Sequence, residues 1–175
     1  TPQIFRILSS RSESMQYKTI TIQSPKGRFL EIISEVGVAM PIEDLSAKAA
    51  IQRTFWTTCL WDTGASHSMI TQEAADILGL APMGEISVIG IHGEEITNFY
   101  HVSINLPNLL FLPDVKVAEG ATNGAFAVIL GMDIICLGDF AITNAAGVST
   151  FSYCVPSLER IDFGERVPRA DSDGA

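Results

Sequence analysis

Residues 60–66, Leu-Trp-Asp-Thr-Gly-Ala-Ser, hold the side chains whose types and spacing best suit chemistry. The aromatic and Thr-rich stretch before them predicts a strand that delivers Asp62 to a tight turn, where Gly64 permits a backbone conformation closed to most residues. Thr63 offers a hydroxyl that can hydrogen-bond across an interface, and Ala65 leaves room beside the carboxylate. Because turns rich in Asp and Gly are common, this motif gains weight only if matching features lie further along the chain.

Two such features come after it, in order. Residues 88–95, Val-Ile-Gly-Ile-His-Gly-Glu-Glu, place two glycines around a tip between two predicted strands, which favours a mobile hairpin that closes over an extended ligand. Residues 127–135 run as an apolar strand into Gly131 and then into a short predicted helix. Asp133 lies at the start of that helix, where the helix dipole favours an acid, so we interpret it as structural.

This ordered set of motifs resembles the retropepsin-like aspartic proteases, which include retroviral proteases, the eukaryotic DNA-damage-inducible proteins and bacterial relatives. Their pattern is an apolar pair before Asp-Thr/Ser-Gly-Ala, then a helix, a glycine-bearing flap, and an apolar strand that ends in glycine before a helix. The resemblance covers about residues 54–154. It implies a mainly β, single-lobe fold with a closed, barrel-like sheet, a flap hairpin and one or two short helices.

The resemblance also implies roles for individual residues, with Asp62 as the catalytic carboxylate. The active-site loop, which would also hold the dimer together, is Thr63, Gly64, Ala65 and Ser66. The flap residues that would contact substrate are Ile89, Gly90, Ile91, His92 and Gly93. The residues that would line substrate pockets are Ala127, Ile129, Leu130 and Gly131.

The sequence departs from the retroviral pattern at several positions. Retroviral enzymes usually carry Arg after the late glycine and an acid two residues past the catalytic glycine, whereas this chain has Met132 and Ser66. Because the Arg and the acid are both missing, neither charge is left unpaired. Other contacts must therefore stabilise the dimer. The predicted flap carries His92, Glu94 and Glu95 where retroviral flaps are mostly glycine and apolar, which bears on substrate preference.

The single Asp-Thr-Gly predicts a homodimer. Peptide hydrolysis by this chemistry needs two neighbouring carboxylates that share one proton and hold a water between them. Since the chain supplies one, the second must come from another copy across a two-fold axis. We therefore predict a homodimeric aspartic endopeptidase that acts on polypeptides. By resemblance, residues 138–143 align with the family's interface strand, and residues 148–154 extend that sheet.

Two alternatives remain open. The domain could serve as a dimeric peptide-binding or scaffold module with little or no turnover, since a fold does not fix a function. It could also be zymogen-like, with the segment before Thr54 blocking the cleft or the interface. The intact Asp-Thr-Gly-Ala favours the enzyme, because a scaffold has no need of a carboxylate pair that must stay partly protonated.

Composition narrows the class of protein further. The net charge is −9, and residues 54–159 carry eleven acids against one base, which argues against nucleic acid as a partner. No apolar run reaches membrane-spanning length, and no secretory signal is visible. The three cysteines and three histidines show no metal-ligand spacing, so we predict free thiols, no metal and no cofactor. Free thiols favour the cytoplasm.

Mainly strands must position these motifs. We predict a flexible leader at residues 1–17, a protease domain at residues 18–160 and a disordered tail at residues 161–175. Thr71 and Gly79 predict the two ends of the clearest helix, and a second short helix is predicted at residues 132–137. The predicted strands occupy residues 18–23, 28–40, 53–61, 86–91, 95–106, 111–117, 140–143 and 148–154.

Overall fold

The computed structural model describes residues 16–41, 54–90, 93–108, 110–122 and 124–166. The predictions made for Ile91 and His92, for residues 1–15 and for residues 167–175 lie outside this described part. The strands are β1 (Lys18–Gln23), β2 (Ile32–Ala39), β3 (Phe55–Trp61), β4 (Met69–Ile70), β5 (Gly84–Gly90), β6 (Gly93–Asn105), β7 (Phe111–Glu119), β8 (Val128–Leu130), β9 (Asp139–Ala145) and β10 (Val148–Val155). The helices are α1 (Gln72–Leu78), α2 (Met132–Ile135) and α3 (Phe163–Arg166). The mainly β class is confirmed.

The strands form two sheets. The larger sheet has the order β2-β3-β8-β4-β7-β6-β5, and β2 also pairs with β6 through residues such as Val38 and Ile104. Hydrogen bonding therefore runs from β2 through five neighbours and back to β2, which leaves the β5–β6 hairpin projecting from the ring. The smaller sheet has the order β1-β10-β9, with β9 at one edge.

An aromatic cluster joins the two sheets. The ring of Trp61, at the end of β3, lies 6.1, 5.2 and 4.9 Å from the rings of Phe140, Phe151 and Tyr153 in the smaller sheet. The indole N–H of Trp61 donates to the hydroxyl of Ser34 at 2.9 Å, so its polar atom is satisfied inside the core. The residue before Asp62 is thus fixed by both sheets.

Helix α1 begins and ends as the sequence predicts. The Thr71 side chain accepts a hydrogen bond from the backbone N–H of Ala74 at 3.3 Å, and Gly79 adopts a left-handed φ of 69° after the last turn. Ala74 and Ala75 are buried against the sheet. These caps confirm the predicted helix.

The described part of the chain ends in a short helix after β10. Helix α3 is a single turn, started by Asp162, whose side chain accepts a hydrogen bond from the N–H of Gly164 at 2.9 Å. Arg166 also forms an ion pair with Glu159 at 2.9 Å.

Candidate active site

Asp62 comes directly after β3 and is held against β8. Its backbone N–H donates to the carbonyl oxygen of Leu130 at 3.0 Å, which continues the parallel pairing of Trp61 with Leu130. Both of these neighbours are buried, whereas Asp62 itself is half-buried. A buried strand pair therefore fixes the position of a carboxylate that remains accessible.

The turn after Asp62 is organised around its own carboxylate. The Gly64 N–H donates to Oδ1 of Asp62 at 2.8 Å, and the Ala65 N–H donates to the Asp62 carbonyl at 3.2 Å. We expected Gly64 to adopt a backbone conformation that is closed to most residues. Gly64 does not adopt a positive φ, so this expectation is wrong. The structure gives a steric reason in its place: a Cβ on Gly64 would lie 3.1 Å from Oδ1 of Asp62. Thr63 and Gly64 are exposed.

The loop is anchored to α2 at its far end. The carboxylate of Asp133 accepts hydrogen bonds from the N–H and the hydroxyl of buried Ser68, at 2.9 and 2.7 Å. The Ser68 hydroxyl oxygen accepts from the N–H of Gly131 at 3.0 Å, and the Met132 N–H donates to the Ala65 carbonyl at 2.8 Å. These bonds make the predicted structural role of Asp133 concrete, and Ser68 is a residue that the sequence did not suggest. The one sequence signal for Ser68 is its position six residues after Asp62.

Gly131 fills a position where no larger residue fits. A Cβ there would lie 2.7 Å from the carbonyl carbon of His67 and 2.8 Å from the carbonyl oxygen of Ala65. Gly131 was predicted as a pocket residue, but it is buried, and it packs directly against the backbone of the Asp62 loop. The nearest atoms to this position thus belong to the backbone of the Asp62 loop.

Ser66 and His67 are both exposed on the same loop. The Ser66 hydroxyl and Nδ1 of His67 lie 2.9 Å apart and form a hydrogen bond. The two side chains therefore present one polar surface near Asp62.

Asp62 and Thr63 lie on the rim of an open groove with a volume of about 410 Å³. Other parts of the groove wall come from the loop between β1 and β2 and from β9. Their lining side chains include Phe29, Leu30, Phe140 and Ile142. The sequence signal that could have marked the loop is the apolar pair Phe29-Leu30 after a Pro-Lys-Gly turn.

The predicted flap coincides with the β5–β6 hairpin. Gly90 pairs with Gly93 at its described end, and Gly93 has a φ of 115°, which favours glycine. Ile89 and Ile96 are 87% and 73% exposed. Since Ile89 pairs with Glu94, two residues before Ile96, the two isoleucines share one face of the hairpin.

The residues predicted to line substrate pockets lie in different parts of the structure. Ile129 pairs with Leu60 and Met69 between neighbouring strands, and Leu130 is fully buried. Ala127 lines a second groove, of about 220 Å³, together with residues of α1 such as Ile77. Neither Ala127 nor the described hairpin residues line the groove at Asp62.

The described residues hold neither a metal site nor a membrane-spanning helix. No group of three or more His, Cys, Asp or Glu side chains among them could hold a metal ion. No helix in the part of the chain that the structure covers is long and apolar enough to cross a membrane.

One family profile covers the motif at Asp62, and several solved structures resemble the chain. The sequence profile of a family described as aspartyl protease matches residues 53–134, from just before β3 into α2. A retropepsin-like aspartic protease from Rickettsia conorii is 14% identical, with a TM-score of 0.48 over 82% of this chain and 99% of that chain. The EIAV protease complexed with the inhibitor HBY-793 is 17% identical, with a TM-score of 0.43 over 61% and 86%. A simian foamy virus (mac) protease is 13% identical, with a TM-score of 0.37 over 59% and 92%. No curated protein matches the chain.

Proposed function

We propose that this chain, whose residues 53–134 match the profile of the aspartyl protease family, is an endopeptidase active as a homodimer. In this proposal the Asp62 carboxylates of two copies face each other and hold the water that attacks the peptide bond. The observation that carries it is the placement of Asp62: a half-buried carboxylate directly after the buried Trp61, among the residues that line an open groove.

The hydrogen bonds around Asp62 support this role. The Gly64 N–H fixes Oδ1, so the carboxylate is oriented without a neighbouring base that would neutralise it. Within the described residues, no Lys or Arg forms an ion pair with Asp62. A carboxylate placed in this way can exchange a proton with water, as a general acid or base must.

A second copy supplies what one copy lacks. Two carboxylates at short range cannot both ionise readily, so the pair keeps one shared proton. The ionised carboxylate accepts a proton from the water while the water oxygen bonds to the carbonyl carbon of the substrate. The protonated carboxyl group of the other copy donates its proton to the carbonyl oxygen. When the tetrahedral intermediate collapses, the C–N bond breaks and the leaving nitrogen takes a proton from the protonated member of the pair. One hydroxyl of the intermediate gives its proton to the ionised member as the carbonyl re-forms, so the pair again holds one proton.

The β5–β6 hairpin supplies a candidate flap for an extended polypeptide. Ile89 and Ile96 expose apolar surface on one face of the hairpin, and a bound chain that covered them would remove that surface from water. The glycines at positions 90 and 93 give the hairpin the freedom to open and close. Together these features support a proposal of substrate contact at the hairpin.

The test is cleavage of a mixed peptide library from acidic to neutral pH, with pepstatin added in parallel. We expect pepstatin-sensitive cleavage by the native chain and none by Asp62→Asn. The control Asp114→Asn makes the same chemical change at an exposed carboxylate that contacts His101, and should cleave normally. Cleavage that persists in Asp62→Asn would refute the mechanism. A native dimer that cleaves nothing at any pH would favour a peptide-binding module.

A further inference from the structure

One face of the β5–β6 hairpin combines exposed isoleucines with an acid. Glu94 pairs with Ile89 across the hairpin, and Ser87 pairs with Ile96. Cross-strand partners lie on the same side of a sheet, as do residues two apart on one strand, so these four side chains share a face. All four residues are exposed. We call this the inner face of the hairpin.

The inner face continues the core side of the larger sheet. Along β6, Glu94 and Ile96 are followed at alternate positions by Asn98, Tyr100 and Val102. Tyr100 and Val102 are buried in the core. Because the hairpin projects beyond the ring of strands, the same row of side chains passes from the core to solvent. The inner face is thus the side from which a flap contacts a polypeptide held beneath it.

Hydrogen bonds to Glu119, at the end of β7, fix the base of the hairpin. The side-chain amide of Asn98 donates to Oε2 of Glu119 at 3.1 Å, and the Tyr100 hydroxyl donates to the same oxygen. The Thr97 hydroxyl donates to the Glu119 carbonyl at 3.1 Å. Since Asn98 and Tyr100 belong to the row that leads to Glu94, these bonds also fix the direction of the inner face.

The carboxylate of Glu94 is oriented but can accept further hydrogen bonds. Its Oε1 accepts from the Ser87 hydroxyl at 2.5 Å, and a carboxylate has acceptor sites beyond this one. Among the described residues, no Lys or Arg forms an ion pair with Glu94. The one Lys or Arg in residues 54–159 is Lys116, which lies on the opposite face, 3.9 Å from the centre of the Phe99 ring. Charge complementarity therefore favours a ligand with a basic side chain.

We infer that Glu94 is a specificity-determining residue that binds a Lys or Arg side chain of the substrate, beside apolar substrate residues that cover Ile89 and Ile96. This inference rests on the proposed function, in which the hairpin contacts an extended polypeptide. A basic side chain beneath the hairpin forms a charge-assisted hydrogen bond to Glu94, and the isoleucines shield that bond from bulk water. The substrate class is therefore polypeptides in which a Lys or Arg lies close to apolar residues.

The experiment varies one position at a time in a peptide that the native chain cleaves, placing Lys, Gln or Glu there. Values of kcat/KM are measured at about pH 6, where glutamate side chains are normally ionised. At one position the native chain should cleave the Lys peptide about tenfold better than the Gln peptide, as expected for hydrogen bonds to a charged group. Glu94→Gln should bring this ratio close to one, and Glu94→Lys should favour the Glu peptide.

The matched control is Glu95→Gln, which removes the same charge from the next residue. Glu95 pairs with Val88, so its side chain lies on the opposite face of the hairpin. This variant should keep the native preference for Lys. Glu94 and Glu95 are both exposed, and circular dichroism checks that each variant is folded. Should Glu94→Lys lose its native spectrum, the ratio for Glu94→Gln decides.

The outcomes separate this inference from the proposed function. If the native chain cleaves peptides without a preference for Lys, or if Glu94→Gln keeps that preference, the role of Glu94 is wrong while the peptidase stands. An equal loss in Glu95→Gln would assign the preference to overall negative charge and would also overturn the inference. Cleavage that persists in Asp62→Asn, with the preference still lost in Glu94→Gln, would refute the mechanism alone. A native chain that cleaves no peptide overturns both.

Discussion

Asp133 binds Ser68 with both carboxylate oxygens, Oδ2 accepting from the backbone N–H at 2.9 Å and Oδ1 from the hydroxyl at 2.7 Å. Oδ1 also accepts from the N–H of Ile134 at 2.9 Å, so the carboxylate joins the start of α2 to the end of the Asp62 loop. Ser68 is buried, and water cannot readily replace these bonds. The position of Asp62 therefore depends on an acid that lies 71 residues further along the chain.

Asp133→Ala should lower both stability and activity. The substitution leaves the N–H of Ser68 without its acceptor inside the protein, at an expected cost of about 2–4 kcal/mol in the free energy of unfolding. Urea unfolding followed by tryptophan fluorescence measures this change in the free energy of unfolding. The protein concentration is held fixed, because dimers gain stability with concentration. Asp114→Ala, which breaks an exposed pair with His101, should cost less than about 1 kcal/mol. Equal losses in the two variants would contradict the anchoring role.

Gly131→Ala should disturb the Asp62 loop directly. Its Cβ would meet backbone atoms of His67 and Ala65 within 2.8 Å, and backbone cannot rotate away as a side chain can. We expect a loss of about 1–3 kcal/mol in stability, as for other overpacked sites, together with loss of peptidase activity. The control is Gly90→Ala, whose Cβ would have no atom within 4 Å, and whose thermal unfolding should match that of the native chain. A stable and fully active Gly131→Ala would contradict the steric argument.

Local signals in the sequence predicted much of the fold. The caps of α1 at Thr71 and Gly79 need only neighbouring residues, and the β9–β10 hairpin is marked by a turn between two short apolar runs. The end of β3 at Asp62 was predicted by the same kind of pattern. In α1 and at the turn of the β9–β10 hairpin, the interactions that fix the structure lie within a few residues.

The features that the sequence did not predict depend on contacts between distant residues. Ser68 and Asp133 are 65 residues apart, and β1 pairs with β10 through partners such as Ile20 and Tyr153. No local pattern determines which strand lies beside β1 or which loop meets β9. The groove at Asp62 is built from those distant pairings, so Leu30 could be placed there only by the structure.

Alkaline pH should destabilise the protein through Cys59. Burial raises the pKa of this thiol from 9.0 to about 11. Below pH 9 the thiol is protonated in both states, whereas between pH 9 and 11 the unfolded chain ionises first and is favoured. The free energy of unfolding should therefore fall by about 2 kcal/mol across this interval.

The measurement is urea unfolding at several pH values from 8 to 11. Cys59→Ala should remove this part of the pH dependence, although it lowers stability throughout by leaving a cavity and by deleting a contact of 3.3 Å with Ser34. Cys136→Ala, at an exposed cysteine, should keep the slope of the native chain. A native slope retained in Cys59→Ala would contradict the assignment.

Peptidase activity should be highest below neutral pH. The proposed mechanism needs one proton on the carboxylate pair, and that proton is lost as the pH rises. The check is kcat/KM against pH, with tryptophan fluorescence recorded at each pH to confirm that the chain is folded. An optimum well above neutrality in folded protein would count against a shared proton.

Mixed dimers should show that each active site needs two copies of Asp62. If native chains and Asp62→Asn chains are refolded together in equal amounts, random pairing gives about one quarter of dimers with both carboxylates. The activity per total protein should fall to about one quarter of the native value, since a heterodimer has no complete pair. Asp62→Asn chains should still form dimers. The Gly64 N–H donates to Oδ1 of Asp62 at 2.8 Å, and the amide oxygen of Asn can accept the same hydrogen bond. Refolding with Asp114→Asn in place of Asp62→Asn should leave the activity unchanged. A fall to about one half would mean that each copy works independently, and the shared site would have to be abandoned.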